Sequence, residues 1–411
     1  MDHRKIAALD VMKRLEQRGY QAYLVGGCVR DECLGEVPQD YDVTTDAKPE
    51  QVMEIFEKVV PTGLRHGTVM VIENEVPVEV TTFRTDGDYQ NHRQPEKVEF
   101  VQSLKEDLKR RDFTINAMAK DRHGHLIDYF KGQKDLQEGI IRTVGDPSKR
   151  FQEDALRMLR AIRFANQFHF RLSPATEQGI RQHREYGIYL SVERVTAELN
   201  KMFEAQSVSQ GLNLLFQTRL MDCIPPFCHW DLPDEPGKIP PEIDQIKSRT
   251  VRWAYLLHVC GTGRDQILER LHQLKVPKKE KKEITTCFLL AYHWENSFVS
   301  MTKEDWLRIL LKEGLNTVTN AANLAKLVCP GRQLAPSCSQ LSKWWNGMGI
   351  HHPAELNVNG QDLMKHCGWG KGPRIGKVLQ VLVERVAFGN LPNKKEILLK
   401  EGCKIGTLDK K

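Results

Sequence analysis

The stretch LVGGCVRD at residues 24–31 and the run DYDV at residues 40–43 decide the fold. Apolar residues at 23–25 predict a strand that ends at two glycines, because glycine permits the tight turns that punctuate strands. Residues 41–43 predict a second short strand, and the sequence that follows this strand has helical periodicity. This alternation of strand, helix and strand predicts a sheet with helices at the start of the chain.

These two runs also carry a candidate phosphate and metal site. Side chains alternate between the faces of a strand, so Asp40 and Asp42 are expected to project to the same side. Two carboxylates suit Mg²⁺, which prefers one or two of them together with substrate phosphates and water. Gly26 and Gly27 would let backbone amides approach a phosphate, and Arg30 supplies a cation. Taken alone, the carboxylates are more often turn or surface groups, and the glycines a plain tight turn.

The composition is that of a folded protein. Of 411 residues, 40% are apolar and 28% are charged, which predicts two to four folded units. No apolar run is long enough to cross a membrane and no signal core follows the first residues, so the expected compartment is the cytoplasm. The ten cysteines lack metal-binding spacing and are interpreted as reduced thiols. A formal net charge of +6 favours a polyanionic partner only weakly.

Periodicity divides the chain into a mixed first part and a helical second part. Residues 6–15 predict a helix that stops before Gly19, and residues 68–83 predict a hairpin. Residues 84–97 hold many charges and few apolar side chains, which predicts a mobile, irregular loop. Beyond about residue 150 helical spacing dominates. The predicted fold class is α+β, with a mixed β-sheet and helices followed by an all-α remainder.

Three further motifs extend the pattern: EVTTFR at residues 79–84, RRDFTINAMA at 110–119 and RFQEDALRMLRAIRFA at 150–165. With the glycine turn and the carboxylate pair, they resemble the polymerase-β-type nucleotidyltransferase superfamily, in the branch that holds bacterial CCA-adding enzymes and poly(A) polymerases. The helical remainder is similar to the short CCA-adding enzymes of Bacillus-like bacteria. The resemblance implies a nucleotidyltransferase head at 1–149, a helical neck with the nucleobase-recognition helix at 150–210, a helical body at 211–330 and a helical tRNA-binding tail at 331–411.

The resemblance also implies roles for the first motifs. Asp40 and Asp42 would bind Mg²⁺ and bring the RNA 3′-hydroxyl to the nucleotide α-phosphate, with pyrophosphate leaving. Glu79 would be a third catalytic carboxylate, although a cross-strand partner for a basic side chain explains it nearly as well. The triphosphate would be held by Gly26, Gly27 and Arg30.

The RRDF motif would contact the nucleotide as well. By the resemblance, Arg111 contacts a phosphate or the base. Asp112 contacts the ribose 2′-hydroxyl, which distinguishes a ribonucleotide from a deoxyribonucleotide. The alternative is a basic helix end, where arginines offset the helix dipole.

Residues 151–168 predict one helix, and the resemblance makes it a protein template for the base. Asp154 would accept from the exocyclic amine of C or A while Arg157 donates to the adjacent ring nitrogen. U and G present a carbonyl where an amine is needed, so buried polar groups would be left unpaired. Arg160 and Arg163 would serve phosphates or position the pair. A surface ion pair between Asp154 and Arg157 is the simpler alternative.

The function implied is template-independent addition of C, C and A to the 3′ end of tRNA from CTP and ATP. A bacterial poly(A) polymerase shares the catalytic motifs and stays open, as does a partial enzyme that adds only CC or only A. A non-catalytic RNA-binding protein is disfavoured because it needs no metal-ligand pair. The expected partners are tRNA, CTP and ATP, with no membrane, and the oligomeric state stays open, with a homodimer as one alternative.

Overall fold

A computed structural model describes residues 2–87, 89–90, 94–95, 98–234, 239–296 and 301–408. The chain divides into two compact units, one of Met1–Gln245 with Gln273–Lys275 and the other of Ile246–His272 with Val276–Lys411. The first unit contains a mixed sheet and helices, and the second is built of helices, which confirms the α+β class. The finer boundaries at 149, 210 and 330 remain predictions.

The first unit is organised around a mixed seven-stranded sheet with the order β11-β10-β1-β2-β5-β4-β3. Neighbouring strands are antiparallel except β2 and β5, which are parallel. The strands among the described residues are β1 Ala22–Val25, β2 Asp42–Thr45, β3 Val59–Gly63, β4 Thr68–Glu73, β5 Val76–Thr82, β6 Arg84–Asp86, β7 Tyr89–Gln90, β8 Gln94–Pro95, β9 Val98–Phe100, β10 Ala119–Lys120, β11 Leu126–Ile127, β12 Ile140–Ile141 and β13 Arg171–Leu172.

The hairpin predicted over residues 68–83 is confirmed as β4 and β5. Every second residue of these strands is buried, as period-two alternation requires; the buried valines are Val69, Val71, Val78 and Val80. The turn between the strands places both Asn74 and Glu75 at positive φ, the conformation of the turns that match strand twist.

Helices cover the sheet of the first unit. The helix predicted over residues 6–15 is confirmed, and it packs Val11, Met12 and Leu15 into the core. The helices of this unit are α1 His3–Gln17, α2 Gly27–Cys33, α3 Pro49–Ile55, α4 Leu104–Lys109, α5 Gly132–Glu138, α6 Pro147–Glu153, α7 Leu156–Phe168, α8 Pro174–His183, α9 Val192–Glu204 and α10 Ser209–Gln217.

The segment predicted as an irregular loop contains paired strands. β6 pairs with β9 and β7 with β8, both antiparallel, while residues 88, 91–93 and 96–97 lie outside the described residues. The prediction of irregular structure is therefore wrong for the described part of 84–97. Strand pairing uses backbone hydrogen bonds, so a segment with few apolar side chains can still form it.

The helix predicted over residues 151–168 is interrupted. α6 ends at Glu153 and α7 begins at Leu156, and Asp154 between them has an extended backbone with φ −138°. The carboxylate of Asp154 accepts from the backbone amide of Leu156 at 3.1 Å. A short acidic side chain that bonds its own backbone in this way favours a helix boundary over a helix interior. The break sets Asp154 off the helical surface.

The second unit consists of helices in its described part. Its core is formed by α11, α13 and α15, which pack on one another around side chains such as Trp253, Phe288 and Leu324. Within the described ranges, none of the helices is long and apolar enough to cross a membrane. The remaining helices are α11 Arg249–Val259, α12 Ile267–Gln273, α13 Lys278–Asn296, α14 Lys303–Glu313, α15 Leu315–Val328, α16 Cys338–Asn346, α17 Gly360–Cys367, α18 Pro373–Ala387 and α19 Lys395–Leu408.

Two cysteines of the second unit form a disulfide, which corrects the expectation that all ten are reduced. Cys367 on α17 and Cys403 on α19 are joined, with their Cα atoms 5.6 Å apart. The two helices pack closely at Gly402, where a Cβ would lie 2.6 Å from the Leu363 side chain. The spacing of the cysteines in the sequence does not predict this disulfide, because the packing of two helices brings the two residues together.

Candidate active site

Three carboxylates lie at one end of the parallel strand pair. β2 begins at Asp42, and Val43 and Val80 are paired in register, so Asp42 and Glu79 each stand one residue before paired positions on neighbouring strands. Residues at equivalent positions of adjacent strands project to the same face. Asp40 lies two residues before the strand pairing begins, which corrects its predicted placement on the strand.

The three carboxylates interact electrostatically. Burial raises the pKa of Asp42 to about 7, and the charges of Glu79 and Asp40 add to the rise while Arg111 opposes it. A bound cation relieves the repulsion that like charges exert on a buried carboxylate. In the part of the chain that the structure describes, no group of three or more acidic, His or Cys side chains could hold a metal by itself. Two carboxylates completed by phosphates and water remain the arrangement that Mg²⁺ prefers.

The glycine turn stands directly beside these carboxylates. Val25 pairs with Asp42, and Gly26 follows it with φ 78°, in the region that favours glycine. A Cβ at Gly26 would lie 3.1 Å from Nη1 of Arg111, and a Cβ at Gly27 would lie 3.6 Å from Nη2 of Arg30. The turn is therefore lined by two guanidinium groups, which are suited to a triphosphate.

Both arginines are held in place by the protein. Arg30 is 8% exposed, and its Nη2 pairs with Asp31 at 2.7 Å. Its guanidinium carbon lies 4.8 Å from the centroid of the Phe168 ring. Arg111 pairs with Asp107 at 3.4 Å, and its buried Nε has no hydrogen-bond partner within the described residues. A buried donor in that state favours a ligand that can accept from it.

Asp112 is engaged on both oxygens. Oδ2 accepts from Nε and Nη2 of Arg160 at 2.9 and 2.6 Å. Oδ1 accepts from the Phe113 amide at 2.8 Å and from Nδ2 of Asn116 at 3.1 Å. Burial would raise the pKa of Asp112, but Arg160 and these hydrogen bonds lower the pKa to about 2. Four donors match the lone-pair sites of a carboxylate, so the protein itself holds Asp112 in place, and its contact with the ribose stays a prediction.

The pair predicted to read the base lies at the break between α6 and α7. Oδ2 of Asp154 accepts from Arg194 on α9 at 2.8 Å. Arg157 is only 8% exposed, pairs with Glu153, and donates to the backbone oxygens of residues 150 and 110 at 3.1 and 3.0 Å. Asp154 and Arg157 thus have separate partners that fix their side chains. The ion pairs that they form, with Arg194 and Glu153, differ from the surface ion pair with each other that was the simpler alternative.

The two remaining arginines of α7 face inward. Arg160 binds Asp112, and Nε of Arg163 donates to Glu198 on α9 at 2.5 Å. The guanidinium carbon of Arg163 lies 3.9 Å from the centroid of the Phe164 ring. These contacts favour positioning over phosphate binding. Sequence reasoning gave no role in the site to Asn116, Glu153, Arg194 and Glu198, although Asn116 and Glu153 lie inside the motifs quoted above.

Three family models match the chain. The first, described as "Poly A polymerase head domain", matches residues 22–142. The second, described as tRNA nucleotidyltransferase domain 2, matches residues 244–401. The third, "Probable RNA and SrmB- binding site of polymerase A", matches residues 169–230.

Curated proteins match over nearly the whole chain. A CCA-adding enzyme of Lacticaseibacillus paracasei is 39% identical over 394 residues, which cover 96% of this chain and 94% of the relative. One from a Geobacillus species is 38% identical and covers 95% of this chain and 94% of the relative. The crystal structure of the Bacillus stearothermophilus CCA-adding enzyme in complex with CTP aligns with a TM-score of 0.81 and 34% identity over 100% of this chain and 99% of that one. The chain therefore belongs to the family of CCA-adding enzymes.

Proposed function

We propose that this chain adds C, C and A to the 3′ end of tRNA, using CTP and ATP and releasing pyrophosphate. The observation that carries the proposal is the juxtaposition of Asp42, Glu79 and Asp40 with a glycine turn lined by Arg30 and Arg111. It is supported by near full-length relatives that are CCA-adding enzymes, one of them solved in complex with CTP. The proposed compartment is the cytoplasm, where the proposed substrate tRNA would be processed.

The end of the strand pair at which the three acidic side chains lie is the proposed catalytic centre. Asp40 and Asp42 would hold Mg²⁺, and Glu79 would add negative charge on the same face. When bound, Mg²⁺ activates the attacking 3′-hydroxyl and stabilises the leaving pyrophosphate. Gly26 and Gly27 leave room for the triphosphate beside these carboxylates.

We assign the binding of the triphosphate and the recognition of the base to separate parts of the first unit. Arg111 has a buried donor without a hydrogen-bond partner among the described residues, and Arg30 lies along the same turn. Asp154 would accept from the amine of C or A and Arg157 would donate to the ring nitrogen. Arg157 pairs with Glu153 and donates to the backbone oxygens of residues 150 and 110, which fixes its guanidinium near the break that holds Asp154.

Product sequencing tests the proposal. A tRNA that lacks its last three nucleotides is incubated with the protein and with CTP, ATP, or both. We expect CTP alone to add two residues, ATP alone to add none, and both together to add CCA and stop. A long A tail on unrelated RNA would instead identify a poly(A) polymerase, and products that end at CC would identify a partial enzyme. No product at all would support a binding protein without catalysis.

A further inference from the structure

A buried chain of polar contacts connects α2 with α7. Nη1 of Arg30 donates to Oδ1 of Asn116 at 2.6 Å. Nδ2 of Asn116 donates to Oδ1 of Asp112 at 3.1 Å. The other oxygen of Asp112 accepts from Arg160 on α7 at 2.6 Å. Asn116, Asp112 and Arg160 thus connect Arg30, beside the glycine turn, with the helix that follows Asp154.

Asn116 occupies the central position of this chain. It is 7% exposed and lies at the end of a 3₁₀ turn, where its backbone amide donates to Phe113 at 2.9 Å. An amide side chain can accept from a cation at its oxygen and donate to a carboxylate at its nitrogen. Aspartate at this position would place two carboxylates together, and an apolar residue would leave the buried groups of Arg30 and Asp112 without this partner.

The same arginines share an aromatic surface on α7. The guanidinium carbons of Arg30 and Arg160 lie 5.4 and 5.3 Å from the centroid of the Phe164 ring, and that of Arg30 lies 4.8 Å from Phe168. A shift of Arg30 toward a ligand therefore changes contacts along α7 directly. Packed interiors transmit such shifts because they have little free volume.

We propose that Asn116 is a positioning residue that couples the grip of Arg30 on the triphosphate to the reading of the base by Asp154 and Arg157. The inference rests on the proposed function of this site. It assigns no contact with the nucleotide to Asn116. Its consequence is that base preference depends on a side chain that does not touch the base.

The preference for one base over another in nucleotide binding distinguishes a coupling role of Asn116 from a role in orienting Arg30 alone. Dissociation constants for CTP and UTP are measured by calorimetry with the full chain, for wild type and Asn116→Ala. We expect CTP affinity to fall roughly tenfold and UTP affinity by less than about threefold. The loss of a buried hydrogen bond to a charged group disturbs the position of the base-reading side chains, and only CTP pairs with both of them. A residue that only orients Arg30 would weaken both nucleotides equally. That result would overturn the proposal.

Two further variants control for folding. Asn166→Ala also removes two buried hydrogen bonds, to Ser207 and Gly211, from an asparagine on α7 outside the chain of contacts. We expect it to lower Tm without changing the CTP preference. Asn116→Asp keeps the acceptor for Arg30 and loses the donor to Asp112, so it should lose the preference while still binding both nucleotides. If this variant keeps the wild-type preference, the coupling is wrong, whatever the fate of the alanine variant.

The same preparations separate this inference from the proposed function. Wild-type protein is assayed for addition of C to truncated tRNA. If wild type adds C and Asn116→Ala retains the CTP preference, the coupling alone fails. If wild type neither adds C nor prefers CTP to UTP, the proposed function fails and the inference fails with it.

Discussion

At the scale of single residues, Asp112 carries a measurable share of stability. Its pKa is lowered from 3.8 to about 2 in the folded chain, which corresponds to about 2 kcal/mol of stabilisation. Because the folded pKa lies below the unfolded value, this stabilisation is complete above pH 4 and is lost as the pH falls toward 2. Asp112→Asn should therefore lower the free energy of unfolding by about 2 kcal/mol at pH 7, as measured by urea denaturation.

The pH dependence and a matched variant check this interpretation of Asp112. The difference from wild type should stay constant between pH 8 and pH 4 and shrink below pH 4. Asp222→Asn removes a carboxylate paired with the exposed Arg219 at 2.7 Å and should cost much less than Asp112→Asn, because surface ion pairs contribute little to stability. Equal losses in the two variants would contradict a special role for the buried pair.

Base selection is also a property of single side chains. Replacement of both Asp154 and Arg157 by alanine removes the proposed hydrogen bonds to the base and leaves the carboxylates at 40 and 42 intact. Discrimination of CTP and ATP against UTP and GTP, measured as a ratio of kcat/KM, should relax by roughly 1–3 kcal/mol. The control is the double alanine variant of Glu177 and Arg181, an exposed pair on α8. An unchanged preference in the first variant would exclude the template role.

At the scale of elements, the sequence predicted the strands and helices whose pattern is local. The β4–β5 hairpin and α1 follow from alternation and helical spacing within their own residues. The break at Asp154 does not follow from such a local pattern, because apolar residues keep helical spacing through it. The contact that fixes Asp154 comes from Arg194, which lies on another helix. The contacts of Asp112 with Arg160 and of Asn116 with Arg30 were not predicted for the same reason, because these partners are distant in sequence.

The paired arm between β5 and α4 permits a test of a single element. The described pairing of β6 with β9 anchors its base, with Thr85 opposite Glu99. Replacing residues 88–97 by a short glycine turn should spare the addition of both C residues and stop the addition of A, since such segments often complete a site in only one step of a cycle. Product length on a gel measures this outcome. Equal loss of C and A would make the arm a general structural element.

At the scale of the whole molecule, chemistry and RNA binding are expected to separate. The carboxylate end of the sheet lies in the first unit, whereas the predicted tRNA-binding tail lies in the second. The α+β class could be predicted from sequence, but the extension of the first unit to Gln245 could not. It depends on packing such as that of Asn166 on α7 against Gly211 on α10.

The rate of C addition in Asp42→Asn tests the central claim most directly. At saturating CTP and truncated tRNA, the rate should fall by roughly a thousandfold or more, because a metal ligand contributes several kcal/mol to the transition state. Tm should not fall, since burial raises the pKa of Asp42 and its charge disfavours the fold. Retained tRNA affinity, and a normal rate in Asp46→Asn just beyond the other end of β2, would complete the predicted result. A rate near wild type in Asp42→Asn would contradict the account.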